Sequence, residues 1–197
     1  MINEKILLSH AKKYFNQGES LFKCSKFKEA IRFYQKSIAL KPDFMEALFK
    51  KGLSLFRLDK YQEAYDQFNL IIKKNSNFID AYNYKGVCSQ YLLKENEAQE
   101  CFKKAIQINL SPTDASSYFS KALSFYGLKN FKDSIHYFDK AIELEPNYVD
   151  ALLTKGVCLS FLKRVDEEIK CYEKAIEINP SFSVAFNNKG LNYNFYD

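Results

Sequence analysis

Apolar and small residues along this chain recur at intervals of three and four, in segments of helical length. In EALFKKGLSLFRLDK (residues 46–60) Leu48, Leu55 and Leu58 share one face of a 3.6-residue wheel, and in YQEAYDQFNLIIKKN (61–75) so do Ala64, Phe68, Ile71 and Ile72. Strand alternation is absent. The pair of segments repeats, and glycine and proline mark the period. Gly18, Gly52, Gly86, Gly156 and Gly190 are spaced 34, 34, 70 and 34 apart, while Pro42, Pro112, Pro146 and Pro180 are spaced 70, 34 and 34. Glycine inside a helix costs about 1 kcal/mol against alanine, so its return at one phase predicts close helix-to-helix approach. Proline one helix downstream supplies the stop. The pattern therefore predicts a stack of helical hairpins, each burying its apolar face only by packing on its neighbours.

Numbering each period so that the glycine is position 8 brings out a fuller motif. Position 4 is Tyr14, Leu48, Tyr82, Tyr118, Leu152 and Phe186, and position 8 is Gly except at Ala122. Position 20 is Ala30, Ala64, Ala98, Ser134 and Glu168. Position 24 is Tyr34, Phe68, Phe102, Phe138 and Tyr172, and position 27 is Ser37, Ile71, Ala105, Ala141 and Ala175. This motif resembles the tetratricopeptide repeat family. The resemblance covers residues 11–197 and implies an all-α fold, a right-handed α-α superhelix (solenoid) of helical hairpins. The expected organisation is a lead-in at 1–10 and repeats at 11–44, 45–78, 79–114, 115–148 and 149–182. Residues 183–197 then form the unpaired first helix of a sixth repeat or an abbreviated cap.

Three departures carry expectations. Leu110 and Ser111 add two residues after the third repeat, predicting a longer turn there. Ser76 replaces the proline of the second repeat. Glu168 stands where the family places a small residue against the glycine, so its carboxylate is expected to turn out to solvent or the helix pair to splay.

Composition narrows the function. The 197 residues are 47% hydrophobic, enough for a real core, and carry a net charge of +5. The 29 Lys and Arg are interleaved with 24 Asp and Glu, a solvated pattern that falls short of a nucleic-acid footprint. The N-terminus has only the apolar run Ile6-Leu7-Leu8, so no signal peptide, anchor or membrane insertion is expected. Five cysteines, an odd number in a chain of this size, favour reduced thiols and a cytoplasmic location. Cys88 and Cys158 share position 10, and Cys101 and Cys171 share position 23. No histidine or further cysteine accompanies either pair at zinc-ligand spacing, so packing and repeat duplication account for them. Of the two histidines, His10 and His136, the second falls at position 22 on the outward face of a second helix and is expected to be solvated, and the glycines are isolated and form no phosphate cradle. The expectation is a chain with no catalytic residues, metal or cofactor.

What remains is binding. In proteins similar to this one, positions 2, 5, 9, 12 and 13 of the first helix line a concave groove that holds the ligand. Here those positions are mainly aliphatic and aromatic: Phe15, Phe22, Phe49, Leu53, Phe56, Asn83, Val87, Tyr91, Phe119, Leu123, Tyr126, Val157 and Phe161. Contiguous apolar surface of this kind marks an interaction site, although superhelical curvature would bury part of it. The expected function is a non-catalytic protein-protein interaction scaffold. It takes a peptide or amphipathic helix with an apolar segment, anchored by Phe49, Phe56, Tyr91, Phe119 and Tyr126. The chaperone carboxylate clamp is not expected. Its first window would fall on Phe15, Glu19, Lys50, Asp80 and Tyr84, and later windows are no better. Lysine recurs at position 7 as Lys51, Lys85, Lys121, Lys155 and Lys189, read as stems packed beside the glycine with ammonium groups in water. Two alternatives stay open: the recognition or regulatory arm of a larger multidomain enzyme, and self-association through the C-terminal helix.

Overall fold

The computed structural model describes residues 4–180. Ten helices occupy that stretch and pair in order: α1 (Glu4–Lys23) with α2 (Phe27–Leu40), α3 (Met45–Arg57) with α4 (Tyr61–Lys74), α5 (Ile79–Tyr91) with α6 (Glu95–Ile108), α7 (Ala115–Gly127) with α8 (Phe131–Leu144), and α9 (Val149–Phe161) with α10 (Val165–Ile178). There is no strand among the described residues. The chain falls into two compact units that part between Ile108 and Asn109.

Every hairpin turns in the same way. Position 15, held by Ser25, Asp59, Leu93, Lys129 and Lys163, adopts a left-handed backbone with φ between 57° and 59°. Its amide bonds back three residues and the next amide five, as in Ser25 N to Phe22 O (2.9 Å) and Lys26 N to Leu21 O (2.9 Å). This is the Schellman stop, built without its usual glycine.

Within each hairpin, position 24 of the second helix faces position 8 of the first. Tyr34, Phe68, Phe102 and Phe138 are fully buried there. Ala30, Ala64 and Ala98 at position 20 are likewise buried, because only a small side chain fits between helices this close. Where serine replaces alanine it is satisfied locally: Ser134 Oγ donates to the Ala122 carbonyl at 2.9 Å, and Ser37 Oγ to Ala11 O at 2.8 Å.

Glu168 departs from its expectation. It stays buried, 8% exposed, and does not turn out to solvent. Nor is the pair splayed at the glycine, since a methyl on Gly156 would lie 2.6 Å from the Tyr172 ring. The register that seats Tyr172 on Gly156 also holds position 20 inward.

Four residues join α2 to α3, α4 to α5 and α8 to α9, whereas six, 109–114, join α6 to α7. The longer junction carries its own hydrogen bonds. Asp114 and Ser117 form a capping box at the start of α7, and the buried Asn109 amide donates to Ser117 O at 2.6 Å. Ser76 leaves the α4 to α5 turn at its usual length, where Asn77 N donates to Asn75 Oδ1 at 3.0 Å.

Candidate functional site

In the first unit the aromatic residues at position 5 are half-buried and ringed by other aromatics. Phe15 meets Tyr34 (5.9 Å between ring centroids) and Phe44 (5.1 Å). Phe49 meets Phe68 (5.8 Å), Phe78 (5.3 Å) and Tyr84 (5.6 Å). The third occupant, Asn83, is buried at 3% exposure. In the second unit Phe119 lies between Phe138 (5.6 Å) and Tyr148 (4.8 Å). Position 5 thus packs on its own second helix and on the aromatic residue, Phe44, Phe78 or Tyr148, that leads into the following hairpin.

Further along the first helices the side chains open outward. Leu53 and Val87 in the first unit, and Leu123 and Val157 in the second, are half-buried, as are Phe22, Phe56 and Tyr126. Tyr91 and Phe161, at position 13, are 58% and 61% exposed. Each lies flat on a ring that begins the second helix of the preceding hairpin. Tyr91 stacks on Tyr61 at 4.1 Å with planes 3° apart, and Phe161 on Phe131 at 4.6 Å with planes 1° apart. Phe56 closes the first group edge-on to both Tyr61 (5.6 Å) and Tyr91 (5.9 Å), and Tyr126 packs on Phe131 at 6.0 Å. The same three positions, 12, 17 and 13, therefore build one aromatic cluster in each unit. Tyr61 and Phe131 were not among the residues singled out from sequence. The signal was available as an aromatic at position 17, repeated in Phe27, Tyr61 and Phe131.

Polar groups near these faces are largely engaged. Glu19 accepts from the Tyr34 hydroxyl and from Lys50 Nζ (2.8 Å), so the basic residue in the first clamp window is already tied. Burial, then the Glu19 bond, pushes the Tyr34 hydroxyl pKa far up. The position-7 lysines do not simply reach water, as the sequence suggested. Lys85 Nζ bonds Asn69 Oδ1 (3.0 Å) and Glu97 (3.4 Å), and Lys155 pairs with Asp139 (2.6 Å). Lys121, only 7% exposed, donates to the Leu110 carbonyl at 3.3 Å. An ammonium drawn in beside the glycine is desolvated, and a neighbouring acceptor compensates it.

Cys88, Cys101, Cys158 and Cys171 are buried, while Cys24 is exposed. Burial pushes the Cys88 thiol up to about 12 and the Cys101 thiol up to about 11. His136 is exposed and edge-on to Tyr137. Among the described residues no group of three or more His, Cys, Asp or Glu could hold a metal ion, and no helix is long and apolar enough to cross a membrane. The unpaired helix expected at 183–197 lies outside the described residues.

Sequence models described as tetratricopeptide repeat match residues 11–44, 46–77, 115–148 and 149–182. The chain belongs to the tetratricopeptide repeat family. Solved structures agree on the fold. TTC0263, a thermophilic TPR protein of Thermus thermophilus, aligns with a TM-score of 0.73 at 16% identity, covering 90% of this chain and 97% of that one. PilF of Pseudomonas aeruginosa aligns with a TM-score of 0.60 at 15% identity, over 87% of this chain and 77% of its own. MamA 41-end from Desulfovibrio magneticus RS-1 gives 0.52 at 22% identity, over 87% and 96%. No curated protein sequence matches the chain. Tetratricopeptide repeats serve protein-protein interaction, and the fold supports that class of function here.

Proposed function

We propose that this tetratricopeptide chain is a non-catalytic scaffold that binds an apolar segment of a partner protein on the faces of its first helices. Each unit has its own anchor and aliphatic surround: Tyr91 with Leu53 and Val87 in the first, and Phe161 with Leu123 and Val157 in the second. The observation that carries this reading is the exposed stacked ring pair, Tyr61 with Tyr91 and Phe131 with Phe161, present once in each unit. A stacked aromatic is held rigid before binding, so a partner gains apolar burial at about 25 cal/mol per Å² with little entropy lost on the scaffold side. Phe49 and Phe119 serve the scaffold itself, because neighbouring rings already enclose them. The five unbridged cysteines support a reducing compartment such as the cytoplasm.

The test is selection of binders from a randomised linear peptide library displayed against the full chain. Selected peptides are expected to be rich in aliphatic and aromatic residues. They should lose about tenfold or more in affinity against the double variant Tyr91→Ala, Phe161→Ala, as loss of an aromatic hot spot does. Equal binding to that variant, with its helical circular dichroism unchanged, would remove both rings from their proposed binding faces.

A further inference from the structure

A groove of about 850 Å³ lies in the first unit, bordered by α2 and α4 and floored by α3. It lies on the side of α3 turned away from Leu53 and Phe56, so it is separate from the face proposed above. Its floor and walls carry Ile31, Leu55 and Leu70, and its cations are Lys28, Arg32, Lys51 and Lys60.

Two of its residues lack what their counterparts elsewhere possess. Lys85, Lys121 and Lys155, which share position 7 with Lys51, each hold an acceptor within 3.3 Å. Lys51 makes no hydrogen bond or ion pair among the described residues. The carboxylate whose charge acts on it, Glu63, is paired with Lys60 at 2.6 Å. Burial lowers the Lys51 pKa, and the charge of Glu63 only partly opposes it. The second residue is Gln67, 6% exposed, whose Nε2 has no hydrogen-bond partner. The other repeats place Phe33, Cys101, Tyr137 and Cys171 at its position, side chains with no amide to satisfy. A buried amide donor and a half-buried ammonium, both lining one groove and both unmatched, mark acceptors that the chain does not itself supply.

We infer that this groove is a second recognition site, for a peptide segment that presents an Asp or Glu side chain beside an aliphatic one. The carboxylate pairs with Lys51, with Arg32 and Lys28 at the rim, and the Gln67 amide, whose nitrogen is closed to solvent in the free chain, turns over to donate to a peptide carbonyl. The lining is net positive, with Lys28, Arg32, Lys51 and Lys60 against Glu63 and Asp66, and so calls for an anion. Lys60 neutralises Glu63, which leaves three unpaired cations against Asp66, itself an acceptor for Gln62 Nε2 at 3.1 Å. The aliphatic lining favours a carboxylate with apolar company over a phosphate.

The same displayed peptide library, screened on the full chain and counter-screened on Lys51→Met, tests the assignment. Peptides lost on the variant are expected to carry Asp or Glu next to Leu, Ile or Val. A synthetic copy should shift the Gln67 side-chain amide resonance of the unaltered chain. It should bind Lys51→Met about tenfold or more weakly, the scale of a charge-assisted hydrogen bond, and bind Tyr91→Ala unchanged. The proposal is overturned if no selected peptide is sensitive to Lys51→Met, if replacing the peptide's Asp or Glu by Asn or Gln leaves affinity intact, or if the Gln67 amide does not move. Displacement of the peptide by inorganic phosphate would reassign the groove to phosphate and overturn it equally. Sensitivity to Tyr91→Ala reports on the other face alone, so either reading can fail without the other.

Discussion

Gly52 lies so close to the ring of Phe68 that a methyl group on its Cα would sit 2.7 Å from Cε1. The same relation joins Gly18 to Tyr34, Gly86 to Phe102 and Gly156 to Tyr172. Gly52→Ala gains about 1 kcal/mol of helix propensity but drives a fully buried ring off its seat, an overpacking cost of about 1–3 kcal/mol. The expected net effect is destabilisation by about 1 kcal/mol, read from urea unfolding. In the fourth hairpin the backbone already accommodates Ala122 opposite Phe138. Ala122→Gly is therefore expected to destabilise too, by about 1 kcal/mol through lost propensity. A stabilising Gly52→Ala would mean that the Phe68 ring yields freely.

This relation was legible in the sequence because both partners recur at a fixed phase, glycine at position 8 and an aromatic at 24. The Phe49 environment was not. Its phase places it with the groove-facing residues, yet it packs on Phe68 of its own hairpin, and the path of the chain into the next hairpin brings Phe78 and Tyr84 against it. The lysine row was misread for a similar reason. Asn69 and Asp139, which receive Lys85 and Lys155, each lie on the second helix of the preceding hairpin, 16 residues away, and periodicity alone does not select them. Gln67 shows in sequence only as a break in a column of apolar or weakly polar side chains. Its unmatched amide needs the packing to be seen.

Enclosure of Phe49 by three rings sets a further expectation. Phe49→Glu places a carboxylate among Phe68, Phe78 and Tyr84 and removes the aromatic contacts, and should cost about 3 kcal/mol or more. Circular dichroism melting should show a clear loss for this variant, while Tyr91→Ala, at an exposed ring, stays within about 1 kcal/mol of the unaltered chain. A Phe49→Glu protein as stable as the original would return that residue to the accessible surface.

Leu93 is the hydrophobic member of the five left-handed turn residues, with φ 59° and 92% exposure. A leucine there meets its own carbonyl and gains no burial in return. Leu93→Gly relieves about 1–2 kcal/mol of steric cost and gives back part of it as backbone entropy, for a net gain of about 0.5–1 kcal/mol. The midpoint of denaturant unfolding should rise with the slope unchanged. A lower midpoint would mean that the leucine makes a contact worth more than the strain.

The thiols divide by burial. Cys24 is exposed, whereas burial holds Cys88, Cys101, Cys158 and Cys171 in the protonated form well above neutral pH. The thiolate is the reactive species, so a thiol reagent at neutral pH should modify Cys24 rapidly and the other four only after denaturant is added. Rapid modification of a second cysteine in the folded chain would show that a hairpin opens on the timescale of the reaction.

Glu97 gives the acid limb of stability a specific contributor. The Tyr65 hydroxyl donates to its carboxylate, and Lys85 stands 3.4 Å away. The Tyr65 bond first, then the lysine charges, hold the Glu97 pKa below its ordinary value against an opposing effect of burial. A carboxylate with a depressed folded-state pKa stabilises the fold above its unfolded value, about 4.3, and loses that contribution as pH falls through the lower folded value. Glu97→Gln should therefore be less stable than the original at neutral pH, with the two curves converging below about pH 4. Tyr65→Phe should show a smaller difference of the same sign, since Lys85 still faces the carboxylate. The group is one-third exposed, so salt should shrink both effects. A gap between Glu97→Gln and the original that persists unchanged to about pH 2 would assign the loss to packing and not to charge.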